Sequence, residues 1–247
     1  MKGLGQMKEF RYAAARHGFE SIGGADTTIP SFAKQTSFCF IRRSRASFAL
    51  QRFRTTDGRP YERTDSSMRV ITGSARGRRL KTPENYDIRP TTDNVKEALF
   101  NIIQFDIEGR RVLDLFAGTG QLGIEALSRG AKSCVFIDEN RDAVKIVKDN
   151  LKACGLSAPV LQANALDYLR RGERFDLIFV DPPYDAGLYE PVLQTVMQVD
   201  NLSEGGIIIC EARRETPLPE LPAPYRKGKE YRYGKVKICI YSKESQV

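Results

Sequence analysis

The sequence predicts an α/β protein in which helices cover both faces of a mostly parallel, doubly wound β-sheet. From residue 93 onward, segments with apolar residues at helical spacing alternate with short runs rich in valine and isoleucine. Such continuous apolar runs are typical of parallel strands that are buried on both faces. A glycine-rich turn follows the first of these runs. The chain has 247 residues, enough for one such domain with a surplus outside it.

The predicted elements follow one another at short intervals. Asp93 can cap a first helix, whose apolar residues share one face: Val95, Leu99, Ile102 and Ile103. We expect strands over residues 111–116, 133–137, 159–161, 175–180 and 206–210, and helices over residues 121–128, 142–153, 166–171 and 189–199. Gly155 is placed to end the helix over residues 142–153 in a left-handed C-cap. Residues 225–233 and 235–241 predict a closing hairpin around Gly234.

The first 67 residues lack this periodicity. They carry twelve Lys or Arg against six Asp or Glu, and thus most of the net charge of +8. A β-like run begins at Met68, so we expect Met68 to be the natural start and residues 1–67 to be a translation artefact or disordered tail. The alternatives are an organelle transit peptide and a basic arm that contacts RNA. Residues 68–247 would then form the domain, with a basic N-terminal preface over 68–104 and a core over 105–247.

Composition excludes several classes of protein. No apolar run approaches the about 18 residues that a membrane-spanning helix needs, so we expect a soluble, cytoplasmic protein. His17 is the only histidine and lies far from every motif, which argues against histidine chemistry and predicts no metal site. The cysteines form no CxxC pair, which indicates a reducing compartment and packing roles. They are Cys39, Cys134, Cys154, Cys210 and Cys239.

The glycine-rich turn points to a nucleotide-like cofactor. Gly118, Gly120 and Gly123 match the GxGxxG pattern of dinucleotide-binding proteins, and Asp138 follows near the spacing of a ribose-binding acid. An NAD-linked oxidoreductase is therefore one alternative. Asp114 argues against it, because a carboxylate repels a pyrophosphate but attracts the ammonium and sulfonium groups of S-adenosylmethionine.

Residues 114–120 resemble the first motif of the class I, S-adenosylmethionine-dependent methyltransferases. The resemblance implies a Rossmann-like, seven-stranded sheet that ends in an antiparallel hairpin. It also implies that Asp138 accepts hydrogen bonds from the ribose hydroxyls and that Asn164 and Ala165 contact the adenine. The turn that approaches the methionine and ribose portions of the cofactor comprises Asp114, Phe116, Gly118 and Gly120.

A second motif, Asp181-Pro182-Pro183-Tyr184, follows the apolar run over residues 175–180. Prolines have a fixed φ and no N–H, so they can hold carbonyl oxygens rigidly toward a pocket. The Asp181 carboxylate and the Pro182 carbonyl can stabilise an amino nitrogen that gains positive charge as it attacks a methyl group. Tyr184 can stack on an unstacked base. The tetrapeptide resembles the fourth motif of amino-methyltransferases acting on adenine, cytosine, guanine or a glutamine amide.

The preface carries the most specific resemblance. Residues 68–81, the segment 89–93 and the helix 96–103 closely resemble the bacterial small-subunit rRNA guanine-N2 methyltransferases of the RsmD type, and the likeness extends over residues 68–247. It implies methylation of the N2 amine of a guanine in 16S rRNA, by a preface hairpin and helix that complete the pocket. Asn94 stands where the family pattern has arginine. The predicted RNA contacts, which we expect beside the pocket, are Arg76, Arg78, Arg79, Lys81 and Arg89.

Several alternatives remain open from the residues alone. The same tetrapeptide chemistry could serve DNA adenine or cytosine, or a protein glutamine. The preface cations could be a solvated basic ribbon, and a non-catalytic RNA-binding assembly factor could keep the fold. The small ribosomal subunit is the expected partner, and we expect a monomer.

Overall fold

A computed structural model describes residues 68–83, 93–184 and 186–244. The expectations for residues 1–67 and for Arg89 lie outside these ranges. The helices are α1 (Asp93–Ile102), α2 (Gln121–Ser128), α3 (Arg141–Cys154), α4 (Ala165–Leu169) and α5 (Tyr189–Val199). The strands are β1 (Arg111–Asp114), β2 (Ser133–Asp138), β3 (Val160–Gln162), β4 (Phe175–Val180), β5 (Leu202–Arg213), β6 (Tyr225–Tyr233) and β7 (Val236–Lys243).

One seven-stranded sheet organises the described chain, in the order β3-β2-β1-β4-β5-β7-β6. The first five strands in this order run parallel to one another, and β7 is antiparallel to both β5 and β6. This confirms the predicted doubly wound sheet with a C-terminal hairpin. The strand order reverses between β1 and β4, and in such sheets ligands bind at the carboxyl ends of the strands beside that reversal.

Most strands differ from their predicted bounds by one or two residues at an end, and for two of those that differ the reason is identifiable. The strand expected over residues 111–116 ends at Asp114, so Phe116 belongs to the loop that follows. The strand expected over residues 206–210 extends over Leu202–Arg213. The residues by which it exceeds the prediction are largely polar. Most of them nevertheless pair through their backbone with β4 or β7, and this pairing does not depend on the side chain. An apolar run alone therefore underestimates a strand with two neighbours.

The sheet is covered on both faces by separate hydrophobic clusters. The preface, α1, α2 and α3 cover one face, and α4 and α5 cover the other. Four cysteines are buried with free thiols, which confirms their predicted packing role: Cys134, Cys154, Cys210 and Cys239. Within the described ranges, no helix combines the length and apolarity needed to cross a bilayer.

A buried carboxylate that the sequence did not single out fastens the preface to the core. Glu125 of α2 is fully buried and accepts hydrogen bonds from the backbone N–H groups of Ile71 (2.7 Å) and Thr72 (2.9 Å). The Arg129 side chain donates to it at 2.8 Å, and the buried ammonium of Lys96 lies 3.9 Å away. The charge of Glu125 is thus matched by two cations and two backbone donors.

The preface forms a short hairpin whose two strands meet at a single bridge, Arg69 to Arg79. Its tip lies on the C-terminal end of α2, where the Ser74 N–H donates to the Ser128 carbonyl at 2.8 Å. Gly73 has φ +87°, and a Cβ there would stand 1.7 Å from that carbonyl oxygen. This approach therefore requires glycine.

Candidate active site

The carboxyl edge of the sheet brings together the acids that the sequence predicted. Asp114 and Asp138 are the last residues of β1 and β2, and Asp181 directly follows β4. β1 lies between β2 and β4, and beyond its end the Leu115 N–H donates to the Phe179 carbonyl at 3.2 Å. Neighbouring strands are about 4.8 Å apart, so the three carboxylates share one short stretch of this edge.

The glycine turn shapes the floor of the site. Gly118 has φ +55°, and a Cβ built there would meet no atom within 4 Å, so open space adjoins its α-carbon. Gly120 has φ +78° and precedes α2 as its N-cap. Gly123 has a different role, because a Cβ there would lie 2.3 Å from the Phe136 ring. The third glycine therefore permits close packing of helix on strand, whatever the ligand.

Asp114 caps α2 from the end of the neighbouring strand. Its carboxylate is only 2% exposed and accepts a hydrogen bond at 2.9 Å from the N–H of Gly123, in the first turn of α2. Burial raises the pKa of Asp114 to about 7, against the lowering effect of the Gly123 N–H; the charge of Asp138 raises it further. A dinucleotide pyrophosphate needs this helix N-terminus for itself. The carboxylate already there argues against the NAD-linked alternative.

Asp138 fixes the turn as well as facing the site. One carboxylate oxygen accepts from the Gly118 N–H and the other from the Asn140 N–H, both at 2.8 Å. A carboxylate has about four acceptor positions, so these bonds leave capacity for two ligand hydroxyls. Half-buried at a strand end, Asp138 is held in one orientation by two rigid donors.

The two predicted adenine contacts lie at the start of α4. Asn164 is its N-cap, and the side-chain oxygen accepts from the N–H groups of Leu166 (3.0 Å) and Asp167 (3.4 Å). That oxygen therefore has a capping role, and adenine contact by the Asn164 amide NH₂ and the backbone of Ala165 stays a prediction. Phe116 is half-buried and packs against the hydrophobic cluster beneath α4 and α5.

The tetrapeptide follows β4 at the same edge. Asp181 and Tyr184 are half-buried, Pro182 is buried and Pro183 is exposed. The guanidinium carbon of Arg213 lies 5.2 Å from the centre of the Tyr184 ring, which is cation–π distance. The aromatic residue of the tetrapeptide is thus packed against a cation at the end of the neighbouring strand β5.

Residues of β5 and α5 complete this side of the site, and sequence reasoning missed them. The buried Tyr189 hydroxyl donates to the Glu211 carbonyl at 2.6 Å. Its pKa is raised first by burial and then by the charge of Asp181, which places Tyr189 close to that carboxylate. No local motif marks these residues. The pairing of β5 with β4 brings Glu211 to this edge, and Tyr189 reaches it from the start of α5.

The predicted RNA contacts of the preface do not all lie beside the pocket. Arg76, Arg78, Arg79 and Lys81 are exposed. Lys81 lies closest to the glycine turn, because Asn150 binds its backbone N–H (2.7 Å) and also donates to the Thr119 carbonyl (2.9 Å). The hairpin tip, with Arg76, lies at the C-terminal end of α2, toward the opposite edge of the sheet. The expected position beside the pocket is thus wrong for the tip, and RNA binding by these residues stays a prediction.

The residues described by the structure contain no group of three or more His, Cys, Asp or Glu side chains arranged to hold a metal ion.

Comparison with known proteins gives a consistent family. Residues 68–242 match the family model described as Conserved hypothetical protein 95. Ribosomal RNA small subunit methyltransferase D of Escherichia coli is 35% identical over 190 residues, covering 76% of this chain and 96% of the relative. YlbH of Bacillus subtilis, named as an rRNA methyltransferase candidate, is 42% identical over 182 residues, covering 71% of this chain and 99% of the relative.

A solved structure gives the same picture. The Escherichia coli protein yhhF, described as a methyltransferase candidate, superposes with a TM-score of 0.66 at 34% identity and covers 73% of this chain and 99% of its own. The fold is thus that of a class I methyltransferase, as the sequence predicted. With the family model matched across residues 68–242, the chain belongs to the Conserved hypothetical protein 95 family, that of the small-subunit rRNA methyltransferases D.

Proposed function

We propose that this protein transfers a methyl group from S-adenosylmethionine to the exocyclic N2 amine of a specific guanine in 16S rRNA. The observation that carries the proposal is the convergence of Asp114, Asp138 and the tetrapeptide at one edge of the sheet, in a chain of this family. The substrate is the one that the name of the Escherichia coli relative indicates, a small-subunit rRNA.

The site fits S-adenosylmethionine in three respects. The carboxylate of Asp114, at the end of β1 and beside the first turn of α2, complements a positively charged ligand. Asp138 retains acceptor capacity for a ribose diol, and open space adjoins Gly118 where a backbone must approach a ligand closely. When bound, the cofactor supplies an electrophilic methyl group on a sulfonium.

The tetrapeptide supports the amine side of the reaction. The guanine nitrogen forms a bond to the methyl carbon while the carbon–sulfur bond breaks and its electron pair passes to sulfur. Positive charge then develops on the nitrogen, and Asp181 and the Pro182 carbonyl stabilise it by accepting its hydrogens. The Tyr184 ring stacks on the flipped base and fixes its distance from the methyl group.

Affinity for S-adenosylmethionine should fall as the pH falls through 7. The pKa of Asp114 is raised to about 7, so below that pH the carboxyl becomes neutral and no longer attracts the cationic ligand. Between about pH 7.5 and about pH 5.5 the ionised fraction drops roughly 20-fold, and we expect a similar weakening of binding by calorimetry. The Cys134 thiol, which also faces Asp114, has a pKa raised well above its usual value by burial and stays neutral throughout.

Asp114→Asn keeps an oxygen acceptor for the Gly123 N–H but does not titrate. Its affinity for S-adenosylmethionine should be weak and almost independent of pH. A wild-type dissociation constant that is flat over this range would contradict the role of Asp114 in cofactor binding.

Asp138→Ala should weaken cofactor binding while affecting turnover less. One hydrogen bond from a ribose hydroxyl to a charged acceptor, at about 1.5–3 kcal/mol, alone predicts a roughly 10- to 100-fold larger dissociation constant, and loss of the second bond adds to it. Turnover at saturating cofactor should stay within about threefold, because Asp138 does not contact the amine. Glu139→Ala, at the exposed neighbouring position, is the matched control. An equal effect of the two substitutions would reject the ribose contact.

The whole proposal is tested by incubating the full chain with radiolabelled S-adenosylmethionine and small ribosomal subunits from cells that lack this gene. We expect N2-methylguanosine in 16S rRNA as the labelled nucleoside. Label that appears instead in DNA or in a protein offered in parallel would keep the amine chemistry but overturn the substrate. Absence of label, with S-adenosylhomocysteine still bound, would favour a non-catalytic binding protein.

The same proposal extends to the organisation of the chain. We infer that residues 68–247 are the catalytic unit, which the family match from Met68 supports. A ribosomal substrate implies a cytoplasmic location, and one set of site residues in one chain is consistent with action as a monomer.

A further inference from the structure

Strand β5 rises above the rest of the catalytic edge. Val180, the last residue of β4, pairs with Cys210 of β5, and β5 continues for three more residues to Arg213. At about 3.3 Å per residue, the end of β5 stands about 10 Å above the level of Val180, directly beside the tetrapeptide. A wall of this kind faces any strand of RNA whose base enters the site.

Three cations occupy the top of this wall. Arg213 pairs with Val236 of β7, and the Arg214 N–H donates to the Lys235 carbonyl at 2.9 Å, so the β6–β7 turn is fixed to the end of β5. Arg213, Arg214 and Lys235 are all exposed. We call these three residues the cationic lip. The acids nearest in sequence are Glu211, which is buried, and Glu215, which is exposed, so the three cations outnumber them.

The lip is joined to the catalytic motif by a side-chain contact. The Arg213 guanidinium packs 5.2 Å from the centre of the Tyr184 ring. Arginine combines aromatic stacking with phosphate binding, which is why it is common where proteins contact nucleic acids. An arginine that stacks on Tyr184 can therefore align the ring and the backbone of the nucleotide that the ring stacks on.

The position of the lip contrasts with that of the preface cations. The tip of the preface hairpin lies on the C-terminal end of α2, toward the opposite edge of the sheet from Asp181. RNA held only there would have to reach around the domain to present a base to the tetrapeptide. The lip lies on the same edge of the sheet as Asp181, and its Arg213 contacts Tyr184.

We propose that the cationic lip binds the RNA phosphates that flank the target guanine. This inference rests on the proposed function and adds the surface that holds the substrate strand. Arg214 and Lys235 make phosphate contacts, and Arg213 positions Tyr184 as well. Phosphate contacts orient a nucleic acid without selecting its sequence, so the lip presents the base while other contacts choose it.

The test is Arg214→Ala/Lys235→Ala, which leaves Arg213 and the tetrapeptide intact. Loss of two single-strand phosphate contacts should reduce the slope of log K for binding of 16S rRNA against log salt concentration by about 1.4. It should also raise the KM for small subunits roughly tenfold at physiological salt. Turnover at saturating subunits and the affinity for S-adenosylhomocysteine should stay near wild type. Arg214→Lys/Lys235→Arg keeps both charges, so its KM should stay close to that of the wild type.

The matched control is Lys132→Ala/Lys152→Ala. It removes two exposed cations near the opposite edge, one just before β2 and one in the last turn of α3. The lip proposal is overturned if both double variants change the salt dependence equally, or if the lip variant lowers turnover without raising KM. A wild-type protein that leaves subunit guanine unmethylated would instead overturn the proposed function itself.

Discussion

Asp181→Asn should reduce turnover by about 10²–10³-fold with little change in the affinity for cofactor. The carboxylate directly follows β4, half-buried at the edge shared with Asp114 and Asp138. An amide at this position is neutral and presents one oxygen where the carboxylate presents two. It therefore loses most of the stabilisation of the positive charge that develops on the attacking amine. Single-turnover methylation of small subunits measures this step directly.

Comparison of turnover with cofactor binding distinguishes a role of Asp181 in the reaction from an effect on folding. An interaction made only in the transition state lowers turnover and leaves ground-state binding intact, so S-adenosylhomocysteine should bind Asp181→Asn as it binds the wild type. Glu204→Gln, an exposed position near the start of β5, removes one carboxylate at the opposite edge and should be silent. Retention of most of the turnover by Asp181→Asn would show that the amine contacts another group.

The parts of the site that the sequence predicted are those encoded locally. Asp114, Asp138 and Asp181 each stand at the end of an apolar run, and parallel strands bring such ends to one edge. The exact bounds of α2, α5, β4 and β6 followed from periodicity and turn residues in the same way. Local pattern therefore predicted the alternating helices and strands of a doubly wound sheet, whereas the Rossmann-like, seven-stranded form was implied by the family resemblance.

Features that depend on pairing between distant segments were not predictable. Arg213 and Lys235 are separated in sequence from Tyr184, and only the register of β5 with β4 and β7 brings them together. The preface is a second example, because its basic composition predicted RNA contacts beside the pocket. The direction of the hairpin, which determines where those cations lie, is set instead by hydrogen bonds to Ser128 and Glu125.

Glu125→Ala should lower the free energy of unfolding by about 3–5 kcal/mol, the usual result of breaking a buried ion pair from one side. The substitution leaves the N–H groups of Ile71 and Thr72 without their acceptor. It also removes the carboxylate that faces the buried ammonium of Lys96 and the guanidinium of Arg129. Urea unfolding measures the change. Hydrogen exchange at Ile71 and Thr72 should accelerate as well, because their amides lose protection when the preface detaches.

Glu97→Ala is the matched control, because Glu97 is an exposed acid on α1 immediately after Lys96. Its effect should stay within about 0.5 kcal/mol, as for other surface substitutions. Glu125→Gln keeps an acceptor oxygen but not the charge. Its free energy of unfolding should lie between those of Glu125→Ala and Glu97→Ala. Equal stabilities for the Glu125 and Glu97 variants would show that Glu125 does not fasten the preface to the core. If instead Glu125→Ala loosens the preface, the glycine turn should become more mobile too, since Asn150 links Lys81 to Thr119.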